Sequence, residues 1–269
     1  MAHLYLVPHD FSTVADAAFE HAFFLANPRK AAIKLLHIVS DKSKIVAAEE
    51  KLKAVVERFA DKNVEGLEVS VLARAGSIFD DIGGIAEELK AQLIVMGTHG
   101  AKGMQKLFGS HAIKVVTSTS VPFLVVQETT PPSKINTVIV PIDTSKESLQ
   151  IINVASYISA LFDSKIYILA EKQSDPRLAQ QLKVRISLVN KDFNEKKIDS
   201  EVVMLESSSP FQKKIRNFAK ENGAELIAFA YHSDSLFPQF DGYAQSLITN
   251  KEEIPCLVIN SKLLSKLYY

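Results

Sequence analysis

The sequence predicts an α/β protein of two tandem, doubly wound (Rossmann-like) domains, each built on a five-stranded parallel sheet. Two observations carry that reading. The segment Leu4-Tyr5-Leu6-Val7-Pro8-His9-Asp10-Phe11-Ser12 aligns with Thr137-Val138-Ile139-Val140-Pro141-Ile142-Asp143-Thr144-Ser145, an offset of 133 residues. The same offset carries Ile33–Leu36 onto Ile166–Leu169, Ala91–Met96 onto Ala224–Phe229, and Val121–Val126 onto Ile254–Ile259, without a gap. Matches at one offset mark a tandem duplication. Within each half, short runs rich in Val, Ile and Leu alternate with longer stretches of helical period. Buried parallel strands joined by crossover helices have this pattern.

In chain order, the first half begins with a strand at Leu4–Val7. Ser12 then sits where a helix N-cap belongs, and Ser145 is its repeat partner. Residues Val14–Ala26 place Ala15, Ala18, Phe19, Ala22 and Leu25 on one helical face. Strands follow at Ile33–Ile38 and Val69–Leu72. Ile78–Leu89 is again helical, with Ile78, Ile82, Ile85, Ala86 and Leu89 on one side. A strand at Leu93–Met96, a helical stretch at Ser110–Ser118 and a last strand at Phe123–Val126 complete the unit. The join is Glu128–Asn136, where Pro131-Pro132 and Ser133 read as an extended linker. The expected domains are therefore 1–129 and 134–269. In sheets of this kind ligands lie outside the carboxyl ends of the strands, where the strand order reverses.

Composition narrows the function. A chain of 269 residues is long enough for two cores of about 130 residues each. Its 31 Lys and Arg balance 31 Asp and Glu, which argues against a nucleic-acid partner or a membrane-surface binder. The lone Cys256 excludes an internal disulfide framework. No apolar run reaches the roughly 18 to 20 residues of a membrane helix, and Met1–Leu6 lacks a signal-peptide pattern. The expectation is a cytoplasmic globular protein.

The most informative segment follows the fourth strand: Met96-Gly97-Thr98-His99-Gly100-Ala101-Lys102-Gly103-Met104-Gln105-Lys106-Leu107-Phe108-Gly109-Ser110. It holds four of the chain's ten glycines. Without a Cβ, glycine lets backbone N–H groups approach a phosphate. Gly109-Ser110 then opens a helical stretch whose free N–H groups favour an anion, with Lys102 and Lys106 nearby. The spacing is neither a Walker loop nor a Gly-x-Gly-x-x-Gly fingerprint. No Gly-x-Ser-x-Gly elbow or His-Glu-x-x-His pair is present.

Several motifs together resemble the universal stress protein family in tandem form. They are Val7-Pro8-His9-Asp10, Leu35-Leu36-His37-Ile38-Val39, Val95-Met96-Gly97-Thr98-His99-Gly100 through Gly109-Ser110, and Val121-Pro122-Phe123-Leu124-Val125-Val126. The resemblance implies an adenine nucleotide, usually ATP, with ADP or AMP as alternatives and Mg²⁺ allowed as a companion ion. It implies Pro8, Asp10 and Ile38 on the adenine side, and Met96, Gly97, His99 and Gly100 along ribose and phosphates. Gly109 and Ser110 would hold phosphate. In nucleotide-binding members nine residues separate the second glycine from the third; here Ala101–Phe108 supplies eight. Such a loop either closes more tightly or moves the Gly109-Ser110 donors. Asp10 also suits a cap for its own turn, and Ile38 a plain core position. Family members commonly pair through the last strand, so Val121–Val126 and Ile254–Ile259 are expected to join the halves pseudo-symmetrically. Further homo-oligomerisation is left open.

The second half does not repeat the loop. Gly97, Gly100, Gly103, Gly109 and Ser110 become Ala230, Ser233, Leu236, Gly242 and Tyr243, while His37 and Ile38 become Ala170 and Glu171. The expectation is one nucleotide site, in the first domain of a stress-response binding and signalling module. The rivals are an interaction protein of the same fold without nucleotide, a weak ATP hydrolase, and a metal site formed by His9, His37 and His99. Catalysis lacks a carboxylate pair beside the loop to hold Mg²⁺, so no catalytic residue is assigned. Histidines following apolar runs are more often hydrogen-bonded than ligating, so no metal ligand is assigned either.

Overall fold

The structure, a computed structural model, describes residues 3–64, 66–98, 115–231 and 242–261. Five strands in the first half follow the predicted runs and extend them by one to three residues. They are β1 (Leu4–Pro8), β2 (Ala32–Val39), β3 (Val69–Ala75), β4 (Leu93–Thr98) and β5 (Phe123–Gln127). The second half supplies β6 (Thr137–Pro141), β7 (Lys165–Glu171), β8 (Ser200–Leu205), β9 (Leu226–Tyr231) and β10 (Cys256–Asn260). Within each half every neighbouring pair is parallel.

The helices are α1 (Thr13–Ala26), α2 (Ile45–Arg58), α3 (Ile78–Glu88), α4 (Ile152–Phe162), α5 (Pro176–Glu195), α6 (Phe211–Glu221) and α7 (Gly242–Ile248). Residues 115–117 are also helical. Ser12 starts α1 as predicted: its backbone is extended and its hydroxyl accepts from Ala15 N–H at 3.3 Å. Ser145 makes the equivalent bond to Ser148 N–H at 3.2 Å, yet the segment it opens is a 3₁₀ turn, Glu147–Ile151, before α4 begins. Asp175 caps α5 through Leu178 N–H at 2.9 Å, and Pro176 at the first position loses no intrahelical bond.

The order β3-β2-β1-β4-β5-β10-β9-β6-β7-β8 forms one ten-stranded sheet. Each half has the same doubly wound order, reversing between β1 and β4 and again between β6 and β9. Strand alternation divides the apolar residues between two layers that both run through the two halves. Leu35, Val95, Leu124, Leu257 and Ala228 face α1, α2, α4 and α5. Leu6, Ile94, Phe123, Cys256 and Ile227 face α3, α6 and α7. Phe19 and Phe23, with ring centroids 4.5 Å apart, anchor the first layer; burying each contributes about 1.5–3 kcal/mol.

The halves meet where β5 and β10 pair antiparallel, with Leu257 opposite Leu124. Buried amides close both ends of this seam. Gln127 Nε2 donates to the Asn250 carbonyl at 2.8 Å, and Asn260 Nδ2 to the Thr117 carbonyl at 3.0 Å. Gln127 and Asn260 are repeat partners, as are Thr117 and Asn250, so the bonds are reciprocal. The linker is tied to both halves: Thr130 O accepts from His21 Nε2–H at 3.0 Å, and Glu225 receives the N–H groups of Asn136 and Thr137. No helix among the described residues is long and apolar enough to cross a membrane.

Candidate functional site

A cavity of about 140 Å³ opens at the carboxyl ends of β1, β2 and β4, where the strand order of the first half reverses. Its lining includes Pro8, His9 and Asp10 from the end of β1, Ile38 from β2, and Met96 and Gly97 from β4. Ile78 and Ile82 of α3 add an apolar wall, and Ser12 and Val14 bring the start of α1. The sequence assigned nine residues to this site. Pro8, Asp10, Ile38, Met96 and Gly97 come together here, while His99, Gly100, Gly109 and Ser110 lie outside the described residues.

Three of these residues also serve the fold. Asp10 Oδ1 accepts the N–H and hydroxyl of Ser12, the turn-capping role open to it from sequence, while the residue stays exposed beside the cavity. Gly97 lies so close to α1 that a Cβ there would sit 2.4 Å from both the Val14 carbonyl oxygen and Val14 Cγ1. Glycine therefore lets the helix start descend onto the strand end. At the repeat position stands Ala230, and in that half the counterpart of the α1 start is the 3₁₀ turn already noted. Ile38 is half-buried, packing against the α3-side layer while lining the cavity.

Beneath the rim is a buried imidazole. Phe11 N–H donates to His9 Nδ1 at 3.1 Å, which requires a lone pair on that nitrogen. The ring proton is therefore on Nε2, 3.1 Å from Asp16 Oδ1 of α1. Arg58 of α2 pairs with the same Asp16 oxygen from the far side. Burial pushes the His9 pKa below its ordinary value, outweighing the opposite pull of Asp16 and Asp10. On β2, His37 Nδ1 donates to the His9 carbonyl at 2.7 Å, a tautomer forced by an acceptor that has no proton to give. Between the two imidazoles stands Phe11, its centroid 4.5 Å from His37 and 5.7 Å from His9. Its φ of 67° is left-handed, a conformation costing a bulky residue about 1–3 kcal/mol.

Of the three histidines considered for a metal site, His9 has both ring nitrogens engaged in hydrogen bonds. His99, the third member, is outside the described residues. Among the described residues no cluster of three or more His, Cys, Asp or Glu is placed to hold a metal ion.

In the second half the corresponding end of β7 carries a charged pair. Glu171, the repeat partner of Ile38, receives Lys214 Nζ at 2.5 Å and the Ser207 hydroxyl at 2.7 Å. Burial acts to raise the Glu171 pKa, but Lys214 and Ser207 outweigh it and hold the carboxyl below its usual range. Lys214 also donates to the Glu206 carbonyl. The pair is satisfied within its own domain. Sequence flagged Glu171 but not Lys214, which comes from α6, 43 residues further along.

Comparison with known proteins sharpens this picture. Residues 1–127 match the model of the universal stress protein family. The first domain, residues 1–127, is thus similar to the universal stress protein family. Universal stress protein G of Shigella flexneri is 28% identical over 131 residues, spanning 42% of this chain and 89% of that protein. Universal stress protein G of Salmonella typhimurium matches at the same identity and coverage. The crystal structure of a universal stress protein from Archaeoglobus fulgidus DSM 4304 superposes with a TM-score of 0.72, over 96% of this chain and 98% of that one. At 19% identity that likeness is one of fold, and it extends the universal stress protein architecture to both halves. The 269 residues thus fit a tandem arrangement of this fold.

Proposed function

We propose that the chain is a cytoplasmic stress-response binding module that takes one adenine nucleotide in its first domain. ATP leads, with ADP and AMP as alternatives. The domains run 1–129 and 134–269, and only the first keeps the site. One observation carries the reading: every described residue that the sequence assigned to nucleotide lines the same cavity at the strand-order reversal. Pro8, Ile38, Ile78 and Met96 make an apolar slot suited to a purine ring. The exposed Asp10 carboxylate would lie on the adenine side with Pro8 and Ile38. Gly97 leads in sequence to His99 and Gly100, assigned along ribose and phosphates, and to Gly109 and Ser110, assigned to phosphate. Those phosphates would bring negative charge and a Mg²⁺ ligand; the chain's own part is to bind, orient and report occupancy. In the second half, the Glu171–Lys214 pair stands at the position of the apolar slot.

Mass spectrometry of ligand released from freshly purified protein identifies the nucleotide, and ATP titration should saturate at one per chain. Gly109→Val puts a branched side chain where backbone must meet phosphate, and binding should weaken at least tenfold, about 1.4 kcal/mol. Ser110→Ala removes one hydroxyl bond and should cost less, roughly 0.5–1.5 kcal/mol. A folded Gly109→Val variant that binds ATP like the parent would overturn the reading. That result would leave an interaction protein of the same fold. ADP release well above a buffer blank would instead point to hydrolysis.

A further inference from the structure

We propose that His9 is a positioning residue that couples the rim of the nucleotide cavity to pH: neutral, it pegs the Asp10–Ser12 turn in place, and protonated, it lets the turn go. The inference rests on the proposed nucleotide site for its functional consequence, but not for its structural core.

The argument begins with the two ring nitrogens. Nδ1 accepts from Phe11 N–H at 3.1 Å, and Nε2–H donates to Asp16 at 3.1 Å. An imidazolium has two donors and no acceptor. Adding a proton at Nδ1 therefore sets two N–H groups against each other, and the Phe11 bond must break. The Asp16 bond, by contrast, strengthens as the ring becomes a cation. Protonation holds the ring and frees the turn.

That turn has reason to move. Phe11 sits at φ 67°, which a bulky side chain adopts only when its surroundings impose it. Its N–H bond to His9 and its ring contacts with His9 and His37 are those constraints. Asp10, one residue earlier, lines the cavity, and Ser12, one residue later, both lines it and caps α1. A released Phe11 shifts both.

Charged and titratable groups face the ring from each packed element. Asp16 comes from α1, with Arg58 of α2 behind it; Asp10 lies on the turn, and His37 of β2 holds the His9 carbonyl. Lys51 of α2 lies 5.9 Å from the Phe11 ring centroid. Burial dominates this balance and keeps His9 neutral at neutral pH, so the change falls on the acidic side of its ordinary 6.5. Nucleotide affinity should accordingly decline on mild acidification.

The test has two arms. In ¹H–¹⁵N spectra of the full chain without nucleotide, recorded between about pH 5 and 8, His9 should be the Nε2–H tautomer at the upper end. The Phe11 and Ser12 amides should shift with the same midpoint as His9. His9→Asn offers an oxygen acceptor to the same N–H two residues on and cannot be protonated, so both amides should lose their step. Asp16→Asn removes the carboxylate facing Nε2 and should move the midpoint to lower pH. A Phe11 amide that stays flat while His9 titrates, or a step that persists in His9→Asn, would overturn the proposal. If His9→Asn does not fold, the Asp16→Asn midpoint decides: unmoved, it counts against the proposal.

In the second arm, the ATP dissociation constant is compared at neutral and acidic pH for parent and His9→Asn. The ratio between the two proteins cancels the titration of ATP itself. The parent should lose at least threefold more affinity on acidification than the variant. Equal losses would overturn the coupling to binding. If ATP fails to bind the parent even at neutral pH, the nucleotide reading falls, and the first arm still decides the role of His9.

Discussion

Leu124 and Leu257 face each other across the β5–β10 seam, and they are the same position of the repeat, since 124 plus the offset of 133 is 257. The pseudo-two-fold axis relating the halves therefore passes between these two side chains. On one side of it Val125 meets Cys256, and on the other Phe123 meets Val258. Both leucines are buried on the same face of the sheet, against the α1 and α4 layer. Replacing either by alanine should cost about 2–5 kcal/mol in urea denaturation. Because each packs beside the other, the double variant should depart from additivity by roughly 0.5–3 kcal/mol. Strict additivity would mean the seam is not held at its axis.

Gly97 tests the approach of α1 to β4. Its missing Cβ would lie 2.4 Å from the Val14 carbonyl oxygen, a main-chain atom that cannot rotate away. Gly97→Ala should destabilise by about 1–3 kcal/mol through overpacking. Adding Val14→Ala removes the Cγ1 clash but not the carbonyl one, so it should restore only part of the loss. A parent-like melting temperature for Gly97→Ala would contradict this geometry.

Cys256 is fully buried, its thiol donates to the Leu247 carbonyl at 3.2 Å, and burial pushes its pKa well above the ordinary value. A thiol-specific reagent should leave the folded chain unmodified and label one thiol per chain in denaturant. Rapid labelling under native conditions would show that β10 opens.

Stability should fall on acidification below about pH 6.5, and two histidines set the sign. Burial lowers the pKa of both His9 and His21 from 6.5, in each case against a hydrogen-bonding partner that raises it. Between the lowered folded values and 6.5 the unfolded chain binds more protons. Their contribution is thus complete above 6.5 and lost as pH drops through the folded values. The urea midpoint should be lower about one pH unit below 6.5 than about one unit above it. His21→Gln keeps a donor near Thr130 O but does not titrate, so the pH dependence should shrink. An unchanged slope would assign the effect elsewhere.

Much of the fold was legible because its signals are local. Leu4–Val7, Leu93–Met96 and Phe123–Val126 are short apolar runs between turn residues, and one offset finds their second copies. The resemblance to a family that pairs through its last strand, together with strand-edge logic, led from the last of these runs to the β5–β10 pairing. The 3₁₀ start before α4 was not legible, because Ser145 predicts a helix start equally well whether or not Gly97 or Ala230 stands opposite. Within the site, Pro8, Asp10, Ile38, Met96 and Gly97 were assigned through the family resemblance, and they line one cavity because strand ends converge in a doubly wound sheet. The roles of Asp16, Arg58 and Lys214 could not. Arg58 meets Asp16 across 42 residues and Lys214 meets Glu171 across 43, and neither distance leaves a periodic trace. The reciprocal Gln127 and Asn260 bonds end on main-chain carbonyls, which carry no sequence signature at all.

Joining the halves through one antiparallel seam has a genetic consequence. In a dimer of identical subunits every substitution is made twice, and a mutation that ruins one binding site ruins its mate. Here the dyad is preserved in the backbone while each side is encoded separately. Glu171 and Lys214 can fill one half without placing a charge beside Pro8 and Met96 in the other. The covalent link lets a symmetric scaffold carry asymmetric content: each side can diverge alone while its twin stays present in a one-to-one ratio.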